Sequence, residues 1–422
     1  MLVTLLALAL SASYFGPAVP APGASGVTGR RPAVTVDGHA RIPHVSPESV
    51  GMSASRLARI DEVMRRGISA GGFPGGAVII GRRGAIVWER GYGNLDWRSG
   101  VPVDAERTMY DLASLTKVVA TTAAAMVLAD RGKLGLDEPV VRYLPAFGGG
   151  GKDEITIRDL LTHRSGLPAG RNLSRRGAGP ASARRAVLAT TPVSPPGSRT
   201  EYSDLGPDVL GFVIEGITRQ PLDQFVRRAL YGPLGMRSTM FRPAPALRAR
   251  IAPTTGPAAR GEVHDRNARA LGGVAGHAGL FATAGDLAVF ARLMLDRGVA
   301  EGTRLFADST VRAFTRPGAG WRALGWETCS GGGSCGRYLS SHAFGHTGFT
   351  GTSMWMDPER DLFVIVLTNW VHGRARGGVA PVAVLHDVRG DVVDLAALSI
   401  SDGSEDLALP WRLRSELQIG WW

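Results

Sequence analysis

Lysine is nearly absent from this sequence. Among 422 residues only Lys117, Lys133 and Lys152 occur, and every other one of the 48 basic side chains is arginine. An arginine cannot lose its proton near neutral pH, whereas a lysine desolvated by burial can, so each lysine invites a reason. Cysteine is also scarce: Cys329 and Cys335 are the only two. After the N-terminal segment no apolar run reaches the roughly 18 residues of a membrane span. The formal charge is +11, yet the arginines are scattered in pairs such as Arg65-Arg66 and Arg227-Arg228, with no basic block interleaved with aromatics. That distribution excludes a concentrated nucleic-acid footprint. Gly 57 and Pro 26 follow no strict period, which excludes a fibrous repeat.

What is present suits a large globular protein. The apolar fraction of 44% over this length can bury a large core, in one domain or two interleaved ones. Residues 1–24 resemble a secretory signal peptide: Leu2 to Leu10 form an apolar run, and a small-residue region near Ala18 to Ala24 offers a cleavage site. Export is the expectation, with a retained N-terminal anchor as the alternative and a secreted or extracytoplasmic, wall-associated location following from it. Residues 25–50 read as a flexible lead, and residues 401–422 as a C-terminal tail.

Between them, helical spacing predicts a helix from Ser53 to about Arg66. Phe73–Ile80 and Gly84–Arg90 read as a hairpin turning at Gly81-Arg82-Arg83-Gly84. The middle of the chain is predicted helical: 114–131 as one helix, a short helix capped by Thr156, then 205–216, 222–230 and 284–296, with 244–260 as loop. After Val299 strands return at 321–326, 343–347, 352–356 and 362–367, and a helix over 379–395 closes the pattern. Strands at both ends of a helical middle predict one antiparallel sheet built by N- and C-terminal segments, with flanking helices and a central helical lobe, an α/β + α architecture. A cleft between the lobes is the expected site.

The chemistry concentrates in Tyr110-Asp111-Leu112-Ala113-Ser114-Leu115-Thr116-Lys117. Ser114 and Lys117 stand three apart at a helix start, so one turn brings a hydroxyl and an amine together. The bland alternative is a surface Ser and a surface Lys, which apolar flanks and the scarcity of lysine weigh against. Two further elements follow in order, Tyr202-Ser203-Asp204 after a Pro195-Pro196-Gly197 turn, and His346-Thr347-Gly348 in a late strand. Taken together, these three resemble the serine beta-lactamase and penicillin-binding-protein superfamily, in the branch of class C beta-lactamases, D-alanyl-D-alanine carboxypeptidases and related esterases and amidases. The likeness runs from about Pro74 to Asn369, with supporting runs at Leu160–Leu167 and Pro233–Met236.

The resemblance implies a beta-lactamase/transpeptidase-like fold over residues 51–400, with a sheet lobe of 51–110 and 320–400 and a helical lobe of 111–319. It implies Ser114 as nucleophile, Lys117 and Tyr202 as a coupled base, and the Ser114 and Phe349 N–H groups as an oxyanion hole. It also points to Asp204, His346, Thr347, Gly348 and His277 as substrate-binding residues, His277 from a glycine-rich run 271–281 beside Val263-His264-Asp265-Arg266-Asn267-Ala268. For His277 the alternative is a packing turn satisfied by a carbonyl, and for Tyr202 a core tyrosine. No cofactor and no metal are implied.

Two departures matter. Asp204 stands where the family usually has asparagine, and His346 where many members have lysine. An ionised carboxylate near Lys117 favours the charged amine and moves base duty toward Tyr202. The expected reaction is acylation of Ser114 by an amide or ester, from a cell-wall peptide or a beta-lactam-like small molecule. Small-ester hydrolysis and an inactive wall-binding module are the alternatives, and oligomeric state is left open. The Gly332–Gly336 match to a nucleophile elbow lacks its strand and helix, and His342 with His346 lacks a third zinc ligand. Cys329 and Cys335 bracket a glycine-rich loop and are expected to pair, two free thiols being the alternative.

Overall fold

The computed structural model describes residues 42–174, 179–254, 260–300, 302–318, 321–329, 333–373 and 381–402, with 35–36, 39–40 and Leu413. The signal-peptide expectation for 1–24 lies outside the described residues, as do most of 25–41 and of 403–422. No helix among the described residues is long and apolar enough to cross a membrane.

Six strands form the main sheet: β1 Gly75–Arg82, β2 Ala85–Gly93, β3 Glu327–Thr328, β4 Phe344–Gly348, β5 Thr352–Asp357 and β6 Leu362–Thr368. Their order is β3-β4-β5-β6-β1-β2, and every pairing is antiparallel. The hairpin between β1 and β2 turns through Arg83 at φ 50° and Gly84 at φ 80°, the left-handed pair that a two-residue hairpin requires. The join between chain ends is β6 against β1, with Ile365 opposite Ile79 and Val366 opposite Val78. Both sequences are unbroken apolar runs because both faces of the sheet are covered.

The helices that cover it are α1 Ile60–Ser69, α2 Ala123–Asp130, α3 Leu205–Thr218, α4 Ala284–Leu295 and α5 Pro381–Leu398. On one face Val78, Ile80, Val364 and Val366 pack with Ile60 and Met64 of α1 and Val388 and Val392 of α5. Side chains alternate along a strand, so Ile79, Ile365 and Leu367 point the other way, into the larger core shared with α2, α3 and α4. This arrangement is the predicted sheet of both chain ends with its helical lobe.

Several local expectations differ. The run 114–131 is not one uniform α-helix: Lys117–Thr122 is a π-helical stretch that continues into α2. Trp321–Trp326 is not a strand: it contributes one isolated bridge, Arg322 to Glu327, and the sheet strand begins at Glu327. The 244–260 loop contains a 3-10 turn at Pro245–Arg250. Residues 42–50, assigned to a flexible lead, are docked: Ile86 N–H donates to Pro43 O and Val45 N–H to Ile86 O, and Val50 is buried. Asp402, in the expected tail, pairs with Arg82 and Arg83. Cys329 and Cys335 form a disulfide with their Cα atoms 5.8 Å apart, the expected bridge.

Candidate active site

The residues of the first motif are held by backbone geometry before any chemistry is considered. Tyr110–Asp111 pairs with Leu280–Ala282 in a small second sheet, and Leu112 N–H donates to Leu280 O. Ala113 then adopts φ 46°, a left-handed conformation uncommon for a residue with a Cβ, with its N–H held at 2.9 Å by the Asp111 carboxylate. This bend sends the chain into the helix that carries Ser114 and Lys117. That helix is apolar all round, with Val118, Val119, Ala120, Ala123 and Ala124 fully buried, so Lys117 is enclosed with it.

The Lys117 ammonium has three hydrogens and three acceptors. It donates to Ser114 Oγ at 2.9 Å, to Asp204 Oδ1 at 2.7 Å and to the His277 carbonyl at 3.4 Å. Burial alone would lower the Lys117 pKa, but Tyr202 and Asp204 outweigh it and the net shift is upward. Burial correspondingly raises Asp204, the Lys117 charge overcomes it, and the carboxyl sits below its usual range. Both partners therefore describe a charged pair, in which the amine is a donor to Ser114. Tyr202 lies beneath two cations: Lys117 Nζ is 4.8 Å and the Arg322 guanidinium 5.0 Å from its ring centroid.

The third motif closes the site from the sheet. Gly348 presses directly on the first motif: a Cβ there would lie 2.3 Å from Leu112 O and 2.2 Å from Thr352 Oγ1. Only glycine allows this approach. Thr352 Oγ1 donates to Leu112 O at 3.0 Å and Thr350 Oγ1 to Asp111 O at 2.6 Å, so the β4–β5 turn is bolted to the segment preceding Ser114. Buried Arg389 of α5 supports the same turn from behind through the Gly348 and Thr352 carbonyls, each at 2.7 Å. Among the described residues the Ser114 and Phe349 N–H groups have no intrachain acceptor. A cavity of about 740 Å³ opens beside them, lined by Ser114, Tyr202, Asp204 and Phe349 and continuing to His264, Arg266 and Arg269.

Residues 60–388 match the Beta-lactamase family. This chain belongs to that family. An N-acetylmuramyl-L-alanine amidase of Bacillus subtilis strain 168 is 33% identical over 377 residues, covering 78% of this chain and 84% of that protein. A "Putative D-alanyl-D-alanine carboxypeptidase" of Escherichia coli O157:H7 is 34% identical over 374 residues, covering 78% and 85%. A solved penicillin-binding protein homologue from Caulobacter crescentus shares the fold at TM-score 0.68 and 21% identity, over 83% of this chain and 99% of that one. The protein is accordingly a serine hydrolase of the class C beta-lactamase and penicillin-binding-protein type.

Within this beta-lactamase-family site, three expected substrate contacts, His346, Thr347 and Gly348, lie off the cavity, while His277 is in its wall. His346 is only 1% exposed, and its Nδ1–H donates to Thr347 O at 2.7 Å. Burial, then Arg322 and Lys117, hold its pKa well below the ordinary histidine value, so Nε2 is a lone-pair acceptor that cannot donate to a carboxylate. Thr347 and Gly348 do not line the cavity. His277 is 2% exposed, and its ring nitrogens bond two carboxylates rather than a carbonyl: Nδ1 meets Asp208 at 2.8 Å and Nε2 meets Asp265 at 3.0 Å. Burial opposes its charge, Asp208 and Asp265 outweigh that, and the pKa rises well above the ordinary value. His277 is thus an imidazolium tying α3 to the 264–269 wall, with its carbonyl turned to Lys117.

Sequence reasoning missed His163, Arg322 and Asp111. His163 accepts the Ser203 N–H on Nδ1 at 3.0 Å and packs against Tyr202 with ring centroids 4.6 Å apart. Its place in the Leu160–Leu167 run was a usable signal, since that run was already singled out. Arg322 is one arginine among many and carried no signal of its own.

Proposed function

We propose that Ser114 attacks an amide of a cell-wall-derived peptide and is acylated, outside the cytoplasm. Tyr202 takes the Ser114 proton, because Lys117 has no lone pair to offer while its three hydrogens are committed. Tyr202 does so as the phenolate, whose negative charge Lys117 and Arg322 face and which the Ser114 proton neutralises until that proton is passed on. The Ser114 and Phe349 N–H groups receive the oxyanion, the proton passes to the leaving amine, and water then releases the acyl group.

The observation that carries the amide reading is the lining of the cavity. Beyond Ser114 its wall includes Asn172, Ser174, Asp265, Arg266, Asn267 and Arg269, hydrogen-bonding side chains set beside the apolar surface of Ala113, Ala278 and Phe349. A cavity of about 740 Å³ with this many hydrogen-bonding side chains has the room and the partners for a large, polar substrate. The names of the amidase and carboxypeptidase relatives support the same class, and the disulfide supports an oxidising compartment. Next to the nucleophile the balance disfavours a carboxylate, since Asp204 adds negative charge and neutral His346 replaces a lysine. A muramyl-peptide amide therefore ranks above a D-alanyl-D-alanine terminus or a beta-lactam.

The test is a panel on purified protein: a muropeptide with its sugar attached, a D-alanyl-D-alanine peptide, nitrocefin and a short nitrophenyl ester, each with S114A as control. Turnover is expected to be highest on the muropeptide and to vanish in S114A. Turnover of the ester alone, with Ser114 required, replaces the amide reading with an esterase.

A further inference from the structure

We propose that Asp111 is a positioning residue: its carboxylate and carbonyl hold the oxyanion N–H groups of Ser114 and Phe349 in register with each other. The proposal rests on the reading that Ser114 is acylated.

Asp111 is 2% exposed and lies three residues before Ser114. Its carboxylate spans two segments that otherwise meet only at the cavity. One oxygen accepts the Ala113 N–H at 2.9 Å, the other the His264 N–H at 2.6 Å. The first bond fixes the left-handed turn at Ala113, whose carbonyl-side peptide carries the Ser114 N–H. The second fixes the start of the polar wall. From His264 the connection returns to the oxyanion site, because its ring stacks on Phe349 with centroids 5.8 Å apart. The circle closes at the next residue, where Thr350 donates its hydroxyl to the Asp111 carbonyl at 2.6 Å. Asp111 thus touches the residue before one oxyanion donor and the residue after the other, and steadies the side chain between them through His264. Nothing else explains a carboxylate in so buried a position, since no cation bonds it directly.

An asparagine fits the space but has one acceptor oxygen, and its NH2 would confront either the Ala113 or the His264 N–H. Protonation has a related effect, because a carboxyl O–H displaces one of the two donors. Burial pushes the Asp111 pKa up to about 6 against the lowering effect of the His264 and Ala113 N–H bonds, with the Asp265 charge adding to the rise and Arg269 opposing it. The other titratable groups on this side of the cavity are His264, whose pKa is lowered by burial, and His277 with Asp265, which stay charged together. Acylation should therefore decline as pH falls through about 6, with Asp111 the group responsible.

The experiment measures kcat, KM and the rate of fluorophosphonate labelling of Ser114 from pH 4.5 to 9 in wild type, D111N, T350V and T350S. A misplaced oxyanion donor costs on the order of tenfold to a hundredfold in rate. D111N is expected to lower kcat and labelling by that order with KM changed less than about threefold, and to lose the acid limb near pH 6. T350V is nearly isosteric and should lower kcat several-fold, with T350S restoring it. If circular dichroism shows D111N unfolded, T350V against T350S decides alone. Wild-type labelling that is lost in S114A, with D111N and T350V both at wild-type kcat, overturns the role of Asp111 and leaves the nucleophile reading standing. Absence of labelling in wild type removes both.

Discussion

Replacing Asp204 by asparagine separates two uses of Lys117. The carboxylate accepts from Nζ at 2.7 Å, with Lys117 2% and Asp204 31% exposed at the side chain. A hydrogen bond between charged groups is worth about 1.5–3 kcal/mol, and partial exposure of Asp204 screens it, so a loss of about 1–2 kcal/mol is expected for D204N. At this chain length that corresponds to roughly 1–2 °C in Tm. The pH window follows from the directions of the shifts. Lys117 is raised, so its contribution is complete below the ordinary lysine value and fades only as pH climbs through its higher folded pKa. Asp204 is lowered, so its contribution is present above the ordinary aspartate value and is lost as pH falls through its lower folded pKa. Differential scanning calorimetry of wild type and D204N should show a Tm gap that is flat from pH 5 to 9 and closes at strongly acid pH. In parallel, Ser114 labelling at neutral pH is expected to fall about tenfold, the equivalent of about 1.4 kcal/mol, because a neutral amide oxygen holds the Nζ aimed at Ser114 less firmly than the carboxylate does. Faster labelling in D204N would refute the donor role and make neutral Lys117 the base.

Two other substitutions probe the frame of the site. His277→Gln strips the cation from between Asp208 and Asp265 and should cost about 3–5 kcal/mol by thermal denaturation at neutral pH. Because the His277 pKa is raised, that cost is full below the ordinary histidine range and shrinks only as pH rises through the elevated folded value. Gly348→Ala places a Cβ 2.3 Å from Leu112 O, and the displaced turn should slow Ser114 labelling by roughly a hundredfold with a smaller change in Tm.

How much of this was legible in the sequence depends on the range of the interaction concerned. The hairpin at Arg83-Gly84 and the cap at Thr156 are local: Thr156 caps its helix as expected, and the structure adds the reciprocal bond from Asp159 that completes a capping box. The sheet shared by chain ends followed from apolar strand runs at both ends of a helical middle, and the pairing of β6 with β1 satisfies it. Ser114 and Lys117 met because one helical turn fixes their relation. What the sequence hid is long-range polar pairing. His277 reads as a ligand-facing residue between glycines, but those glycines serve packing: a Cβ at Gly276 would sit 1.9 Å from Pro207 O, and this closeness brings His277 to Asp208. No local pattern announces a partner 69 positions away.

The same distinction governs the reading of the third motif. Its order in the chain identified a strand that closes the site, and β4 does so through Gly348 and the Phe349 N–H. The side chain of His346, however, faces the core side with Phe344, where burial keeps it neutral. A lysine charge in that position would lie close to Lys117 and Arg322, the two cations that already depress His346. Replacing it with a neutral ring relieves that repulsion, while Asp204 supplies the negative charge that balances Lys117. The two departures from the family pattern are thus a single electrostatic adjustment. Reverting both together should lower Tm by more than the sum of the two single reversions, because D204N removes the counter-charge that a lysine at 346 would need.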